Sequence, residues 1–149
     1  MRFFTIGFLR IISTIFKNKS RFEVYTDGSS KNGFGSWAYV ISERGKCISE
    51  KARRIRCANS NTMEFQAAIE ALKSLPANSN ITLFTDSKIL VDAMTFGKGH
   101  YSFQTQIDAL LLLNYKYNIK WKWIKAHNGN KFNERCDELC TLIRGTHRS

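Results

Sequence analysis

Phe22-Glu23-Val24-Tyr25-Thr26-Asp27-Gly28-Ser29-Ser30 is the stretch from which the fold is read. Phe22 to Thr26 alternates as a half-buried strand does, and the run stops at Asp27-Gly28-Ser29-Ser30, a turn composition. The end of a strand is where an α/β domain builds its site. Three further acids stand at similar boundaries: Glu64 in Met63-Glu64-Phe65, Asp86 in Phe84-Thr85-Asp86-Ser87, and Asp137 in Arg135-Cys136-Asp137-Glu138-Leu139.

Outward from that strand the pattern predicts two more, Ser36 to Glu43 and Lys46 to Arg56, joined by Arg44-Gly45 as a hairpin. Asn61 can cap a helix from Thr62 to about Leu75, which puts Glu64 in its first turn, with Pro76 past the end. A buried-type strand at Ile81 to Thr85 leads through Asp86-Ser87 into a helix ending near Met94. A third helix is expected over Phe103 to Tyr115, a last strand over Ile119 to Ile124 and a last helix over Phe132 to Ile143. That order implies an α/β domain with a mixed sheet covered by helices.

At 149 residues the chain has the length of one domain, and 43% hydrophobic residues exclude a disordered polymer. The net charge of +11 favours a phosphate-rich partner, nucleic acid or an anionic membrane surface. Cys47, Cys57, Cys136 and Cys140 have neither CxxC nor zinc-ligand spacing, so they read as small core residues in a reducing compartment.

Residues 1–21 form a separate extension before a domain of residues 22–149. The extension contains no acid, and Phe4, Phe8, Ile11, Ile12, Ile15 and Phe16 recur at helical steps opposite Arg10 and Lys17. It predicts an extra N-terminal amphipathic helix with a basic face, too interrupted to span a bilayer. Such a helix can dock on the domain, touch a membrane or nucleic acid weakly, or act as an organellar presequence.

Asp27 and Asp86 end hydrophobic strand runs, so adjacent strands can set them side by side. Any one of the four acids alone reads as a cap or a solvated charge. Converging without a counter-charge they repel, and at least one should hold a proton. A divalent cation removes that penalty, and magnesium suits hard oxygen ligands and phosphate. Two ions about 4 Å apart would activate water and stabilise the leaving 3′ oxygen of a phosphodiester displacement.

The blocks Thr26-Asp27-Gly28-Ser29, Asn61-Thr62-Met63-Glu64, Thr85-Asp86-Ser87 and Trp121-Lys122-Trp123-Ile124-Lys125-Ala126-His127 through Asn133-Glu134-Arg135-Cys136-Asp137-Glu138-Leu139 resemble type 1 ribonuclease H in order and spacing. The resemblance implies a ribonuclease H fold with a five-stranded sheet, and cleavage of the RNA strand of RNA–DNA hybrids. It implies two Mg²⁺ or Mn²⁺ ions held by Asp27, Glu64, Asp86 and Asp137. It makes His127 the family's loop histidine, which assists proton transfer or product release. Gly28, Ser29, Ser30, Asn32, Asn59, Ser60, Asn61, Ser87 and Lys88 fall where the family grips the hybrid's minor groove, where the 2′-hydroxyl marks RNA. Arg53, Arg54, Arg56 and Lys125 are candidate phosphate contacts.

The chain departs from the family pattern in places. Many bacterial members carry a basic helix-and-loop insertion where this chain has only Thr95-Phe96-Gly97-Lys98-Gly99-His100-Tyr101. Lys88 stands where glutamine is common, Ser60 replaces one of two asparagines, and the tract after Asp27 lacks Asn-Pro-Gly. The basic N-terminal helix is a candidate substitute for the missing affinity. A cytoplasmic monomer is expected, with organellar targeting as the alternative location. A metal-free binding module on the same fold and a DNA nuclease of the wider fold are the rival readings.

Overall fold

The computed structural model describes residues 20–56 and 59–145. Its strands are β1 (Arg21–Lys31), β2 (Phe34–Glu43), β3 (Lys46–Arg56), β4 (Asn80–Thr85) and β5 (Asn118–Trp123). Its helices are α1 (Ser60–Lys73), α2 (Lys88–Phe96), α3 (Gln104–Asn114) and α4 (Lys131–Gly145), with a 3₁₀ turn at Tyr101–Phe103. The strands lie in the order β3-β2-β1-β4-β5. The first three run antiparallel to one another, whereas β1–β4 and β4–β5 are parallel. This is the expected mixed five-stranded sheet flanked by helices. The expected N-terminal helix lies outside the described residues, and β1 already begins at Arg21.

β1 does not stop at Asp27-Gly28-Ser29-Ser30; it runs on to Lys31, paired with β2 as far as Lys31↔Phe34. The chain reverses at Asn32-Gly33, with φ of 53° and 77°, and again at Arg44-Gly45, with φ of 51° and 77°. Two successive left-handed residues make the tight turn whose twist matches that of the flanking strands. Gly28 therefore serves packing and not turning. A Cβ there would stand 2.3 Å from both the Glu64 nitrogen and the Met63 carbonyl carbon. Only glycine lets the α1 backbone approach β1 this closely.

The first helix starts earlier than its pattern suggests. Asn59, not Asn61, is the cap: its Oδ1 accepts from the Thr62 amide at 2.8 Å. Asn59, Ser60 and Asn61 are all capping residue types, and local composition does not choose among them. Glu64 thus falls in the second turn. The helix ends at Lys73, where Ser74 bonds back to the Ala71 carbonyl before Pro76. Between α2 and α3, Gly97 closes α2 in a left-handed cap, and only the 3₁₀ turn intervenes, so no inserted helix is present there.

Strand alternation divides the core. One face of the sheet, with Val24, Trp37, Ile41 and Leu83, packs against Phe65 and Leu72 of α1 and Leu110 of α3. The other face, with Tyr25, Ala38 and Val40, packs against Cys136 and Cys140 of α4. A fully buried large apolar side chain contributes about 1.5–3 kcal/mol, so these layers outweigh the surface ion pairs. A bidentate contact of Arg135 with Glu50, at 2.8 and 2.9 Å, orients α4 over β3. Cys136 and Cys140 are the small core residues expected, whereas Cys47 is exposed near the β2–β3 turn and is not core; none of the three is in a disulfide among the described residues, and Cys57 lies outside them.

Replacing Gly28 with alanine should cost about 2 kcal/mol or more, because the obstructing atoms are backbone. Urea unfolding measures it; a midpoint unchanged from wild type would show that α1 can retreat from β1 freely.

Candidate active site

Three of the acids meet where β1 and β4 lie side by side. The parallel register pairs Thr26 with Thr85, so Asp27 and Asp86 follow as neighbours on adjacent strands. Glu64 joins them from α1 across the Gly28 gap, and carboxylate oxygens of Asp27, Glu64 and Asp86 lie within 4.8 Å of one another. Asp27 and Glu64 are buried, at 7% and 8% exposure, and Asp86 is half-buried. Asp137, on α4, adds its negative charge to the field at both Asp27 and Asp86. Three acids therefore converge, and Asp137 stands outside the trio with its charge felt at two of them.

Backbone contacts hold the cluster in place. The Trp123 indole donates to the Asp86 carbonyl at 3.0 Å, and the Ile124 amide donates to the Thr85 carbonyl at 2.9 Å. Ser87 caps α2 by accepting from the Leu90 amide, so the chain turns away directly after Asp86. On the other side the Cys136 thiol donates to the Tyr25 carbonyl at 3.2 Å and the Cys140 thiol to the Asp27 carbonyl at 3.7 Å. Two residues stood out less in the sequence. Trp123 is half-exposed yet fixes Asp86, whereas Trp121, two residues earlier, packs into the core. The other is Asn130, whose Oδ1 accepts from the Phe132 and Asn133 amides and caps α4. An Asn ahead of a helical apolar run is the signal that finds it.

The electrostatics match four acids without a counter-ion. Burial, then the charges of Asp86 and Asp137, push Asp27 up from 3.8 to about 7. Burial and the Asp27 and Asp86 charges hold Glu64 well above the usual carboxylate range. Asp86 is raised too, chiefly by burial, with the nearby His127 pulling it back. Asp27 and Glu64 each sit in the other's field, so the two titrate as a pair with both carboxyls raised. Glu64 Oε2 is nevertheless buried with no hydrogen-bond partner. A buried, unpartnered carboxylate oxygen among other carboxylates is the arrangement a hard cation satisfies. The donor set, all oxygen, fits Mg²⁺ or Mn²⁺.

The remaining candidates spread around this centre. Gly28 is buried, and its amide lowers both Asp27 and Glu64. Ser30 and Ser60 are joined, the Ser60 hydroxyl lying 3.1 Å from both the Ser30 amide and its hydroxyl. Ser29 meets Ser36 at 3.1 Å, and Arg144 donates to the Ser29 hydroxyl. Asn32 is the first residue of the hairpin turn, Asn59 and Ser87 are caps, and Lys88 is exposed. His127 is exposed, at a φ of 53°. Arg54 lies 3.7 Å over the Phe34 ring instead of standing free, while Arg53, Arg56 and Lys125 are exposed.

A family model described as RNase H matches residues 19–143. A protein named Ribonuclease H from Francisella tularensis subsp. novicida is 34% identical over 140 residues, covering 84% of this chain and 91% of its own. A Ribonuclease H from Francisella philomiragia is 33% identical over the same span. RNase H1 from the archaeon Halobacterium salinarum superposes with a TM-score of 0.74 at 20% identity, covering 83% of this chain and 97% of its own. LC11-RNase H1, solved in complex with RNA/DNA hybrid, superposes at 0.72 with 19% identity, covering 81% and 94%.

Raised carboxyls mean that the folded chain binds protons more tightly than the unfolded one. Without a cation, stability should therefore fall as pH rises from about 4 towards about 7, the window set by Asp27. In chelator at pH 7, Asp27→Asn should melt above wild type, and the gap should close near pH 4. Thermal melts at both pH values check this; identical melting temperatures at pH 7 would mean the carboxylates do not oppose one another.

Proposed function

The chain belongs to the ribonuclease H family, and from that premise we propose that it is an endoribonuclease hydrolysing the RNA strand of RNA–DNA hybrids. The observation that carries the reading is the buried trio Asp27, Glu64 and Asp86, with Glu64 Oε2 unpartnered, inside a chain of net charge +11. A binder of polyanions gains nothing from acids facing phosphate. This weighs against the rival reading of a non-catalytic module on the same fold.

Asp27, Glu64, Asp86 and Asp137 would hold two Mg²⁺ ions, for which Mn²⁺ can substitute. When bound, these activate a water and stabilise the departing 3′ oxygen, leaving 5′-phosphate and 3′-hydroxyl ends. The residues themselves do the rest. Glu64, raised well above the usual carboxylate range by burial and its acidic neighbours, would be favoured in its ionised form beside a cation, as would the other acids. Trp123 and the two buried thiols keep the strand ends from shifting under the changed charge. His127 is the residue to which this reading gives proton transfer to the departing oxygen or help with product release, and its influence on Asp86 supports that.

Choice of RNA requires groups that read a 2′-hydroxyl. Ser29, Ser30 and Asn32 around the β1–β2 hairpin, and Asn59, Ser60 and Asn61 at the start of α1, are the groups this reading assigns to that task. The joined Ser30–Ser60 pair makes a small polar ledge. The Gly28 backbone, Ser87 and Lys88 lie next to Asp27 and Asp86. The hybrid seen on LC11-RNase H1 supports this class of partner.

An end-labelled RNA strand annealed to DNA should be cut only with Mg²⁺ or Mn²⁺, and matched RNA–RNA and DNA–DNA duplexes should remain whole. Asp27→Asn should abolish cutting, while His127→Ala should slow it by about 10²-fold or less. Metal-independent cutting, or equal cutting of all three duplexes, would sink the proposal.

A further inference from the structure

Beyond the carboxylates, β1 leads into a basic hollow that the chemistry above leaves unused. Side chains alternate along a strand, so Asp27, Ser29 and Lys31 project on one face of β1, each about 7 Å beyond the last. The register continues that row across the sheet, Ser29 opposite Ser36 and Ser36 opposite Arg54. The C-terminal end of α4 lies over the row, where Arg144 donates to the Ser29 hydroxyl. Between helix and hairpin is a cavity of about 580 Å³, lined among others by Lys31, Phe34, Arg54, Thr141 and Arg144. Among the described residues three cations line it and no carboxylate does.

Two features of this hollow ask for an anion. The Arg54 guanidinium is laid on the Phe34 ring, and its Nε is buried with no partner, which costs free energy until an acceptor arrives. Lys31, Arg54 and Arg144 also share one cavity without an opposite charge on its walls. A solvated face would leave these groups in water; here one is stacked and another is tied to β1. Guanidinium groups match the oxygens of a phosphate, and a phosphate brings both the charge and the acceptors.

We infer that this cavity is a second phosphate subsite, holding a backbone phosphate of the cleaved strand within a few nucleotides of the bond that is cut. It rests on the nuclease reading above and adds the contact that positions the strand. Because Arg144 bonds to Ser29, two residues from Asp27 on the same face, a phosphate seated there is registered against the acids through a single strand. Arg144, Arg54 and Lys31 are positioning residues and touch no reacting atom.

The test uses the full chain, wild type and Arg144→Gln, with Lys31→Gln as a second, surface variant whose folding is not at risk. Hybrids carry one uncharged methylphosphonate linkage at successive positions in either strand, each beside the same deoxynucleotide with an ordinary phosphate. We expect each variant to raise KM roughly three- to tenfold with kcat within about twofold, and to reduce the salt slope by about one. One linkage in the cleaved strand should raise the wild-type KM by a similar factor and add nothing in Arg144→Gln. Additive effects at every position, or coupling only to a linkage in the DNA strand, would overturn the assignment while leaving the nuclease reading intact. A wild type that binds hybrid without cutting would fail the nuclease reading alone, since hybrid anisotropy gives the same slopes and the same coupling.

Discussion

β1 is held tightly on both faces at the point where it carries Asp27, and the rest of the molecule is arranged around that constraint. On one side α1 comes so near that position 28 has no room for a Cβ; on the other, two thiols of α4 bond to the strand's carbonyls. β2 and β4 occupy both edges of the strand. A carboxylate fixed from four directions cannot swing away from its neighbours. That rigidity lets three acids sit within 4.8 Å of one another in a protein that would otherwise relax their repulsion by moving apart.

The cluster therefore opposes the fold that builds it. Burial and mutual repulsion raise Asp27, Glu64 and Asp86, so ionising all of them works against folding. The two apolar layers carry the stability that tolerates this, and the net charge of +11 favours an anionic partner at long range. Attraction at long range and acidity at the centre do not conflict, because a divalent cation can join the carboxylates to phosphate.

Much of this was legible from local pattern. Hydrophobic runs and turn composition located all five strands, and the acids at strand ends marked Asp27 and Asp86 as possible neighbours before any pairing was known. The errors share one cause: local composition was asked to settle what tertiary packing decides. Gly28 between Asp27 and Ser29 has the composition of a turn, yet it is a strand residue whose missing side chain admits α1. Asn59, Ser60 and Asn61 are equivalent as caps until the rest of the chain fixes where α1 begins. Trp121 and Trp123 share a parity in β5, but one is core and the other braces Asp86, because β5 ends at the open edge of the sheet. The basic hollow was invisible, since the register of β1 to β3 together with the seating of α4 over them brings Lys31, Arg54 and Arg144 to one place.

The parallel pairing of β1 with β4 also bears on the order in which the molecule assembles. The two hairpins close over turns of two residues, whereas Thr26 meets Thr85 only after an intervening length of chain that includes β2, β3 and α1. Closing a longer loop costs more entropy, so the meander of β1 to β3 is favoured as the earlier structure, and β4 docks onto it later. Pulsed hydrogen exchange that protected β4 before the first hairpin would contradict this order. On such a route Asp27 travels through most of folding without Asp86 beside it. The repulsive step is deferred until enough core exists to bear it, and partly folded chains carry no assembled cluster to capture a cation prematurely.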